Sequence, residues 1–402
     1  MGKEIELSTA ITDIAAGPFG SNLKVECFVP SGFPIIDGAN LKGYKVTDNI
    51  TKFVTEEKAR SLSRSIAHRG DVIVTISGTI GQIAYIPEDS LYDEYLCSQR
   101  QFRVSFDSSM VYVPYLVFYF HTFEGQNKIL SFANQTGVPA LSQPLKNFKK
   151  IRLCLPSLQE QRRIASIVET INDKIENNIK INDNLEQQAQ SYFQELFVDN
   201  ADPEWTTGTI SDLGTVVGGS TPSKAKPEYY TESGIAWITP KDLSNNKSKF
   251  VSHGENDITE LGLKNSSAAI MPEGTVLFSS RAPIGYIAIA AGEVTTNQGF
   301  KSVVPKPEIG TPFVYFFLKN ALPVIEGMAS GSTFKEVSGS TMKNVPAVIP
   351  DAETLAKFSD FCAPIFAQQR ILEEQNQSLA TLRDNLLPKL MSGEIDVSAV
   401  QL

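Results

Sequence analysis

The chain has 402 residues, of which 42% are hydrophobic and 20% are charged, with a formal net charge of −9 at pH 7. This length exceeds the usual size of a single hydrophobic core, so we expect more than one domain. No apolar run is long enough to cross a membrane, and the charged N-terminus lacks the apolar core of a signal peptide. The four cysteines have no paired spacing typical of zinc or redox sites, so we expect a reducing, cytoplasmic environment.

Charge is distributed unevenly along the chain. Residues 1–156 carry 16 basic and 15 acidic residues, and residues 201–350 carry 12 and 14. Residues 157–200 and 351–402 each carry 4 basic and 8 acidic residues. Two nearly neutral blocks therefore alternate with two acidic ones, and the negative net charge does not exclude a local surface that binds nucleic acid.

One irregular pattern occurs twice, as RGDVIVTISGTIGQIAYIP and, 204 residues later, as EGTVLFSSRAPIGYIAIAA. Gly70 and Gly81 of the first copy recur as Gly274 and Gly285 of the second. Further matches reach the C-terminus with an offset that falls to 194, as insertions in surface loops would cause. A unit of about 200 residues is far larger than a solenoid repeat, so the pattern predicts a duplicated domain pair.

In chain order, each repeat unit begins rich in β-structure and ends helical. Short alternating apolar runs such as DVIVTIS in residues 1–156 and YIAIAA in residues 201–350 predict strands, and the aromatic runs VPYLVFYFHTF and TPFVYFFLKNAL predict intervening helices. Residues 157–200 and 351–402 contain almost no glycine or proline and have a helical period. We therefore predict an α+β protein of four segments with these bounds.

Each helical segment carries a heptad seam, which runs from Ile164 to Leu196 in the first and from Phe358 to Leu390 in the second. Two seams of matched length predict two long helices that pack on each other, with the asparagines Asn178, Asn182 and Asn376 fixing their register. The alternative is that each helix faces the core of its own domain. At the helix ends, we expect a capping box in PSLQEQ and a C-terminal glycine in MSGE.

The sequence lacks the motifs of several catalytic classes. It has no [DNS]-P-P-[YFW] tetrapeptide and no glycine-rich turn of the kind that binds S-adenosylmethionine in amino-methyltransferases. GGSTPSK lacks the Gly-Lys-Ser/Thr ending of a phosphate loop, and Pro222 removes an amide that such a loop needs. Asp37 and Asp242 are candidate nuclease carboxylates, but no second acid and lysine follow at short spacing. We expect a binding protein; a self-contained methyltransferase or nuclease and a protein- or glycan-binding scaffold remain the alternatives.

Motifs in both halves resemble the specificity subunits of type I restriction–modification enzymes. AGPFGSNLK, GFPIIDGANL, CSQRQFRV and LPSLQEQRRIA resemble the first half of such subunits, and GGSTPSK, GIAWITPKDL, NQGF, GSTFKEV and LLPKLMSGEI resemble the second. The resemblance covers essentially the whole chain in the expected order. The first repeat lacks the tryptophan that often opens these domains, whereas Trp205 opens the second.

The resemblance implies a non-catalytic subunit with two target-recognition domains in tandem, each followed by a long helix. It implies that the helices pack as an antiparallel coiled coil, and that each recognition domain reads one half of a split, asymmetric sequence in double-stranded DNA. The helices would set the spacing of the half-sites and dock two methyltransferase subunits, with motor/nuclease subunits joining the complex. S-adenosylmethionine, ATP and magnesium are then expected on the partner subunits and no cofactor on this chain, with no membrane partner.

Candidate DNA-binding residues are short polar or basic side chains on glycine-flanked loops, where the backbone can approach DNA closely. Amide side chains match the donor and acceptor pattern of adenine, and hydroxyl and lysine side chains suit phosphate. In the second repeat the candidates are Ser220, Thr221, Ser223, Lys224, Lys241, Ser280, Arg281, Asn297, Gln298, Ser332, Thr333 and Lys335. In the first they are Ser21, Asn22, Lys24, Asn40, Lys42, Ser77, Thr79, Gln99, Arg100, Thr136, Lys146, Lys149 and Lys150.

Each candidate also has a purely structural interpretation. Glycine-serine-threonine loops are turns by default, Asn297 and Gln298 could brace a loop, and the three lysines near residue 148 could form a solvated face. We expect Trp237 and Phe102 to be core residues.

Overall fold

The computed structural model describes residues 2–134, 137–331 and 335–399. Two compact units divide the chain. The first contains Met1–Lys174 and Leu379–Leu402, and the second contains Ile175–Ser378. Both long helices are therefore shared between the units. The predicted segment bounds at residues 156, 200 and 350 stay a prediction.

The first unit contains eleven described strands, five helices that begin in it, and the end of the last helix. The strands are β1 Lys3–Glu6, β2 Ile11–Ala16, β3 Phe28–Val29, β4 Phe33–Ile36, β5 Phe53–Val54, β6 Ile66–His68, β7 Val72–Thr75, β8 Ile83–Tyr85, β9 Glu94–Cys97, β10 Gln101–Phe106 and β11 Arg152–Leu155. The helices are α1 Glu56–Ser61, α2 Val113–Phe120, α3 Phe123–Leu130, α4 Pro144–Lys149 and α5 Leu158–Gln194.

The second unit repeats this plan among its described residues. Its strands are β12 Thr206–Thr209, β13 Gly214–Gly218, β14 Tyr230–Thr231, β15 Ile235–Ile238, β16 Phe250–Val251, β17 Asn256–Ile258, β18 Val276–Ser280, β19 Ile284–Ala290, β20 Thr295–Thr296, β21 Lys301–Pro305 and β22 Pro346–Ile349. Its helices are α6 Ile210–Leu213, α7 Pro240–Asn245, α8 Glu260–Lys264, α9 Thr311–Asn320, α10 Leu322–Met328, α11 Gly339–Lys343 and α12 Ala352–Ser392.

The sheet topology confirms the duplication. The order β2-β10-β7-β8 in the first unit corresponds to β13-β21-β18-β19 in the second, and the pair β1-β11 corresponds to β12-β22. The parallel pairs also match in register, because Ile35 pairs with Leu96 and Trp237 pairs with Thr295. The repeated pattern of the sequence is thus one strand arrangement built twice.

The matched glycines of the repeated pattern occupy one backbone conformation. Gly81 has φ +90° and Gly285 has φ +94°, a left-handed region that side chains with a Cβ rarely adopt. Gly81 lies just before β8, in the connection from its antiparallel neighbour β7, and Gly285 is the second residue of β19, just after the connection from its antiparallel neighbour β18. The glycine therefore recurs because the chain needs this conformation where it enters the second strand.

The long helices pack antiparallel, as predicted. Within the second unit, Asn178 Nδ2 donates to Asn376 Oδ1 at 2.9 Å, and Asn182 Nδ2 donates to the Gln369 backbone oxygen at 3.4 Å. The partner numbers fall as the first helix advances, which is the antiparallel order. One π-helical turn, Glu195–Asp199, continues the first helix. No helix among the described residues has the length and apolar character needed to span a membrane.

Both helices also contribute to the core of each unit. In the first unit, Val168 and Leu390 pack in one cluster with the aromatic α2, and in the second Phe193 and Phe358 pack with α9. Phe102 is fully buried and Trp237 is 6% exposed, which confirms both as core residues. The packing of the helices on each other and their packing on a domain core are therefore both present.

The helix ends follow the sequence signals. The Ser157 backbone N–H donates to Glu160 Oε2 at 3.0 Å, and the Glu160 N–H donates to Ser157 Oγ at 3.3 Å, which completes the capping box. Gly393 follows the last helix with φ +75°.

Candidate nucleic-acid interface

Each unit has a polar cleft at the ends of its central strands. In the first unit the cleft has a volume of about 610 Å³ and is lined by loops that follow β4, β7 and β9. Four of the predicted DNA-binding residues line it, namely Ser77, Thr79, Gln99 and Arg100. Residues distant in sequence meet here because β4 pairs with β9 in parallel, so the loops that follow both strands lie at the same edge.

The second unit has the equivalent cleft, with a volume of about 470 Å³. The parallel pair β15 and β20 places the corresponding loops together. Six predicted residues line this cleft, namely Thr221, Lys224, Lys241, Arg281, Asn297 and Gln298. The duplicated sequence therefore produces a duplicated cleft from matching positions.

Cations outnumber acids in both clefts, although the whole chain is acidic. The first cleft is lined by Lys52 and Arg100 against one acid, Asp37. The second is lined by three cations, at 224, 241 and 281, against two acids, Asp242 and Glu255. A concave surface with excess positive charge attracts a polyanion locally, whatever the net charge of the chain.

Asp37 and Asp242, the candidate nuclease carboxylates, accept hydrogen bonds from backbone N–H groups of their own loops. Asp37 Oδ1 accepts from the Ala39 N–H at 2.9 Å, and Asp242 Oδ2 accepts from the Thr239 N–H at 2.7 Å. Burial raises the pKa of Asp37, but the hydrogen bond from Lys52 Nζ at 2.7 Å holds that pKa below its usual value. Both carboxylates stabilise the loops that carry the cleft residues.

Gln99 and Gln298 connect two walls of their clefts. Gln99 Nε2 donates to the backbone oxygens of Gly20 at 3.0 Å and Leu23 at 2.6 Å. Gln298 accepts a hydrogen bond from the Thr221 hydroxyl in the matching loop. Both glutamines therefore brace the loops, and for Gln298 this is the structural alternative given above. Asn297 likewise uses its Oδ1 to accept from the Gly299 N–H at 2.8 Å.

Two of the predicted DNA-binding residues, Asn40 and Ser280, are buried, so these two predictions are wrong. Asn40 is 3% exposed, and its Nδ2 donates to the backbone oxygens of Thr47 and Asn49, each at 3.2 Å. Ser280 is completely buried, and its Oγ donates to the Gly299 oxygen at 3.1 Å. Both side chains hold loops together and are withdrawn from any ligand in the cleft.

Among the described residues, the remaining candidates do not line either cleft. The side chains that are exposed on neighbouring loops or on α4 are Ser21, Asn22, Lys24, Lys42, Lys146, Lys149, Lys150, Ser223 and Lys335. Ser220 is half-buried, and its backbone oxygen accepts from Trp237 Nε1 at 3.0 Å. The candidates that lie outside the described residues are Thr136, Ser332 and Thr333.

Sequence reasoning missed two lysines beside the clefts. Lys52 lines the first cleft and had no motif to mark it. In the second unit, Lys301 Nζ donates to the Gln298 backbone oxygen at 3.3 Å. Its position directly after NQGF could have identified it. Burial lowers the pKa of Lys301.

Two of the four cysteines, Cys97 and Cys362, are buried. Burial raises the pKa of Cys97 and of Cys362 to about 12, so both thiols stay protonated at neutral pH. The described residues contain no group of three or more His, Cys, Asp or Glu side chains that could hold a metal ion. The polar and charged side chains that line the two clefts can form hydrogen bonds and ion pairs with a ligand.

Two β-rich units share one topology and carry a matching cleft, and two long antiparallel helices contribute to both units, which defines a duplicated recognition protein. The sequence model of the type I restriction modification DNA specificity domain matches residues 29–187 and again residues 203–382. The chain therefore belongs to this family and carries the domain twice.

Named relatives agree with this assignment. The chain is 39% identical over 194 residues to the type I restriction enzyme MjaIX specificity subunit of Methanocaldococcus jannaschii, in an alignment that covers 46% of this chain and 45% of that subunit. It thus spans about half the length of that relative. It is 22% identical over 392 residues to the HindI specificity subunit of Haemophilus influenzae, which covers 78% of this chain and 84% of the relative.

One solved structure resembles the whole chain. The S subunit of a type I restriction-modification system from M. genitalium superposes with a TM-score of 0.59 at 16% identity, over 96% of this chain and 95% of that one. At this identity the likeness shows a shared fold.

Proposed function

We propose that this chain is the DNA-reading subunit of a type I restriction–modification complex, and that each unit reads one half of a split, asymmetric target through its cleft. The observation that carries the proposal is that polar residues from matching loops converge on a cleft in each unit. Arg100 in the first cleft and Arg281 in the second are the side chains best suited to guanine edges or phosphates.

The difference between the two clefts supports an asymmetric target. The first cleft presents Ser77, Thr79 and Arg100, whereas the second presents Lys224, Lys241 and Arg281. One strand arrangement that carries different side chains can read different sequences with the same docking geometry.

The partners follow from the same proposal. The two acidic helices would set the spacing of the half-sites and dock two methyltransferase subunits, and motor/nuclease subunits would join through the complex. The chain itself would be non-catalytic. S-adenosylmethionine, ATP and magnesium would be bound by the partner subunits.

Methylome sequencing tests the proposal. A host that expresses this chain with its cognate methyltransferase subunit is compared with a host that expresses the methyltransferase subunit alone. We expect a split adenine-methylated motif only in the first host, and exchange of residues 201–350 for those of a relative to change one half of it. A stable complex that produces no motif would contradict the proposal and favour a scaffold.

A further inference from the structure

An exposed aromatic side chain lies beside the first cleft. Residues 17–25, here called the Phe19 loop, connect β2 to the region before β3. Phe19 is 82% exposed and Val25, on the same loop, is 81% exposed. Single exposed apolar residues are common and by themselves need no explanation. The exposure of Phe19 needs an explanation because of where its loop lies and how the loop is anchored.

The Phe19 loop is anchored at both ends. The Gly17 N–H donates to the Gln101 backbone oxygen at 2.8 Å, and a Cβ at Gly17 would lie 1.8 Å from the Ser98 oxygen, so only glycine allows this approach. Further along, Gln99 donates to the backbone oxygens of Gly20 and Leu23. Phe19 is therefore held in place by its neighbours while its ring stays in solvent.

The loop forms part of the cleft wall. Leu23 and Val25 line the cleft together with Gln99 and Arg100. Phe19 directly precedes Gly20, whose oxygen accepts from Gln99. Phe19 therefore belongs to the loop that adjoins the wall of the cleft to which we assign one DNA half-site, and its side chain is exposed.

The second unit has the same anchored loop with different chemistry. A Cβ at Gly219 would lie 2.1 Å from the Asn297 oxygen, and the side chains of Thr221 and Gln298 are hydrogen-bonded. Thr221 stands two residues after Gly219, as Phe19 stands two residues after Gly17. The first unit therefore presents a phenyl ring where the second presents a hydroxyl group.

We propose that Phe19 inserts as an apolar wedge at a base-pair step of the half-site read by the first unit. A phenyl ring has no hydrogen bond to offer to a base edge or a phosphate, but it can replace base stacking and open a step. A step that unstacks easily, such as a pyrimidine–purine step, would then be favoured. The second unit carries Thr221 at the matching position and would leave its half-site stacked there. This inference rests on the proposed function.

The test uses the full chain assembled with its methyltransferase subunits. Duplexes that contain the methylome-derived target carry 2-aminopurine at successive positions of each half-site, because the fluorescence of this base increases when it loses stacking. The variant is Phe19→Ala. The matched control is Phe123→Ala, since Phe123 is 84% exposed and does not line the cleft. Thermal unfolding checks that both variants are as stable as the unmodified chain.

We expect increased fluorescence at one step of one half-site with the unmodified chain and with Phe123→Ala, and none with Phe19→Ala. Loss of the stacking contact should weaken binding about tenfold. The dependence of affinity on salt should not change, because no charged group is removed.

The other outcomes are distinguishable. If the unmodified complex binds its target without any fluorescence increase, or if Phe19→Ala retains the increase, the wedge is overturned while DNA reading stands. If Phe19→Ala leaves the fluorescence intact but loses methyltransferase subunits on purification, the ring is a protein contact and the wedge is likewise overturned. If the unmodified complex binds no duplex, the proposed function itself fails.

Discussion

The ammonium group of Lys249 lies 2.7 Å from Glu186 Oε2 and 3.5 Å from the centre of the Phe366 ring, within the second unit. Lys249 precedes β16, Glu186 is on α5, and Phe366 is on α12. The Lys249 side chain is 6% exposed. One buried cation therefore ties a strand of the recognition fold to both long helices.

Substitution of Lys249 by methionine should lower the free energy of unfolding by about 3 kcal/mol, because it removes one partner of a buried ion pair. In this variant Glu186 still has Lys319 Nζ as a partner at 2.5 Å, so the loss of stability should lie at the lower end of the range for a broken buried ion pair. Denaturation in urea measures the effect. The control is Lys357→Met, an exposed position on α12, which should change stability by less than about 0.5 kcal/mol. Equal losses in the free energy of unfolding for the two variants would show that the Lys249–Glu186 ion pair makes no specific contribution.

The same cluster predicts a dependence of stability on acid pH. Burial raises the pKa of Glu186, but Lys249 and Lys319 outweigh it and lower that pKa from 4.5 to about 2. A depressed pKa in the folded state means that the stabilisation is complete above pH 4.5 and is lost as the pH falls toward 2, by about 3 kcal/mol in all. Urea denaturation across this window should show a shallower decline for Glu186→Gln. Parallel profiles for the two proteins would refute the assignment.

The asparagine pair between the helices should cost stability. Asn178 is fully buried, and its hydrogen bond to Asn376 Oδ1 is 2.9 Å long. Replacement of both asparagines by leucine should be neutral or should raise the free energy of unfolding by about 1 kcal/mol. Asn178→Leu alone should lower it by about 1 kcal/mol, because Asn376 loses its partner. Melting temperatures of the two single variants and the double variant measure this. A double variant that is less stable than either single one would contradict it.

Arg100 and Lys241 should contribute to DNA affinity through charge. Alanine at either position should weaken binding to the target duplex and make the slope of log affinity against log salt about 0.9 less steep, if each residue neutralises one phosphate. Fluorescence anisotropy titrations from low to moderate salt measure the slope. Lys180→Ala is the control, an exposed lysine on a long helix outside the clefts, and should leave the slope unchanged. An unchanged slope in all three variants would remove these residues from the DNA surface.

Gln99 should act by holding the Phe19 loop. Gln99→Leu removes two hydrogen bonds, to Gly20 and Leu23, and should increase hydrogen exchange at the backbone amides of this loop without affecting the sheet that contains β10. Hydrogen-exchange mass spectrometry compares the variant with Gln126→Leu, in which the side chain that bonds Gly81 and Phe120 is removed instead. Loss of protection in the Phe19 loop with both variants would show that Gln99 has no specific role there.

Local sequence signals predicted local structure well. The glycine at positions 81 and 285 recurs because both positions have the same left-handed backbone conformation, and the serine–glutamate spacing at residues 157 and 160 forms the capping box it predicts. Heptad spacing predicted the helix pair, although Leu387 is more buried than Leu386, which the strict heptad placed on the seam. A straight helix drifts from a seven-residue repeat, so the buried face shifts along a long helix.

The sequence by itself determined the duplication, the long helices and the positions of the polar loops, because a repeated pattern, a helical period and a turn motif can each be read from the order of residues along the chain. Tertiary structure alone decided which polar residues share a cleft. Asn40 and Ser280 look like their exposed neighbours in sequence, but their loops fold over them. Phe19 is apolar like a core residue, but on its anchored loop it is 82% exposed. These outcomes depend on strand pairings such as Ile35 with Leu96, and contacts between residues so far apart in the chain leave no local pattern to read.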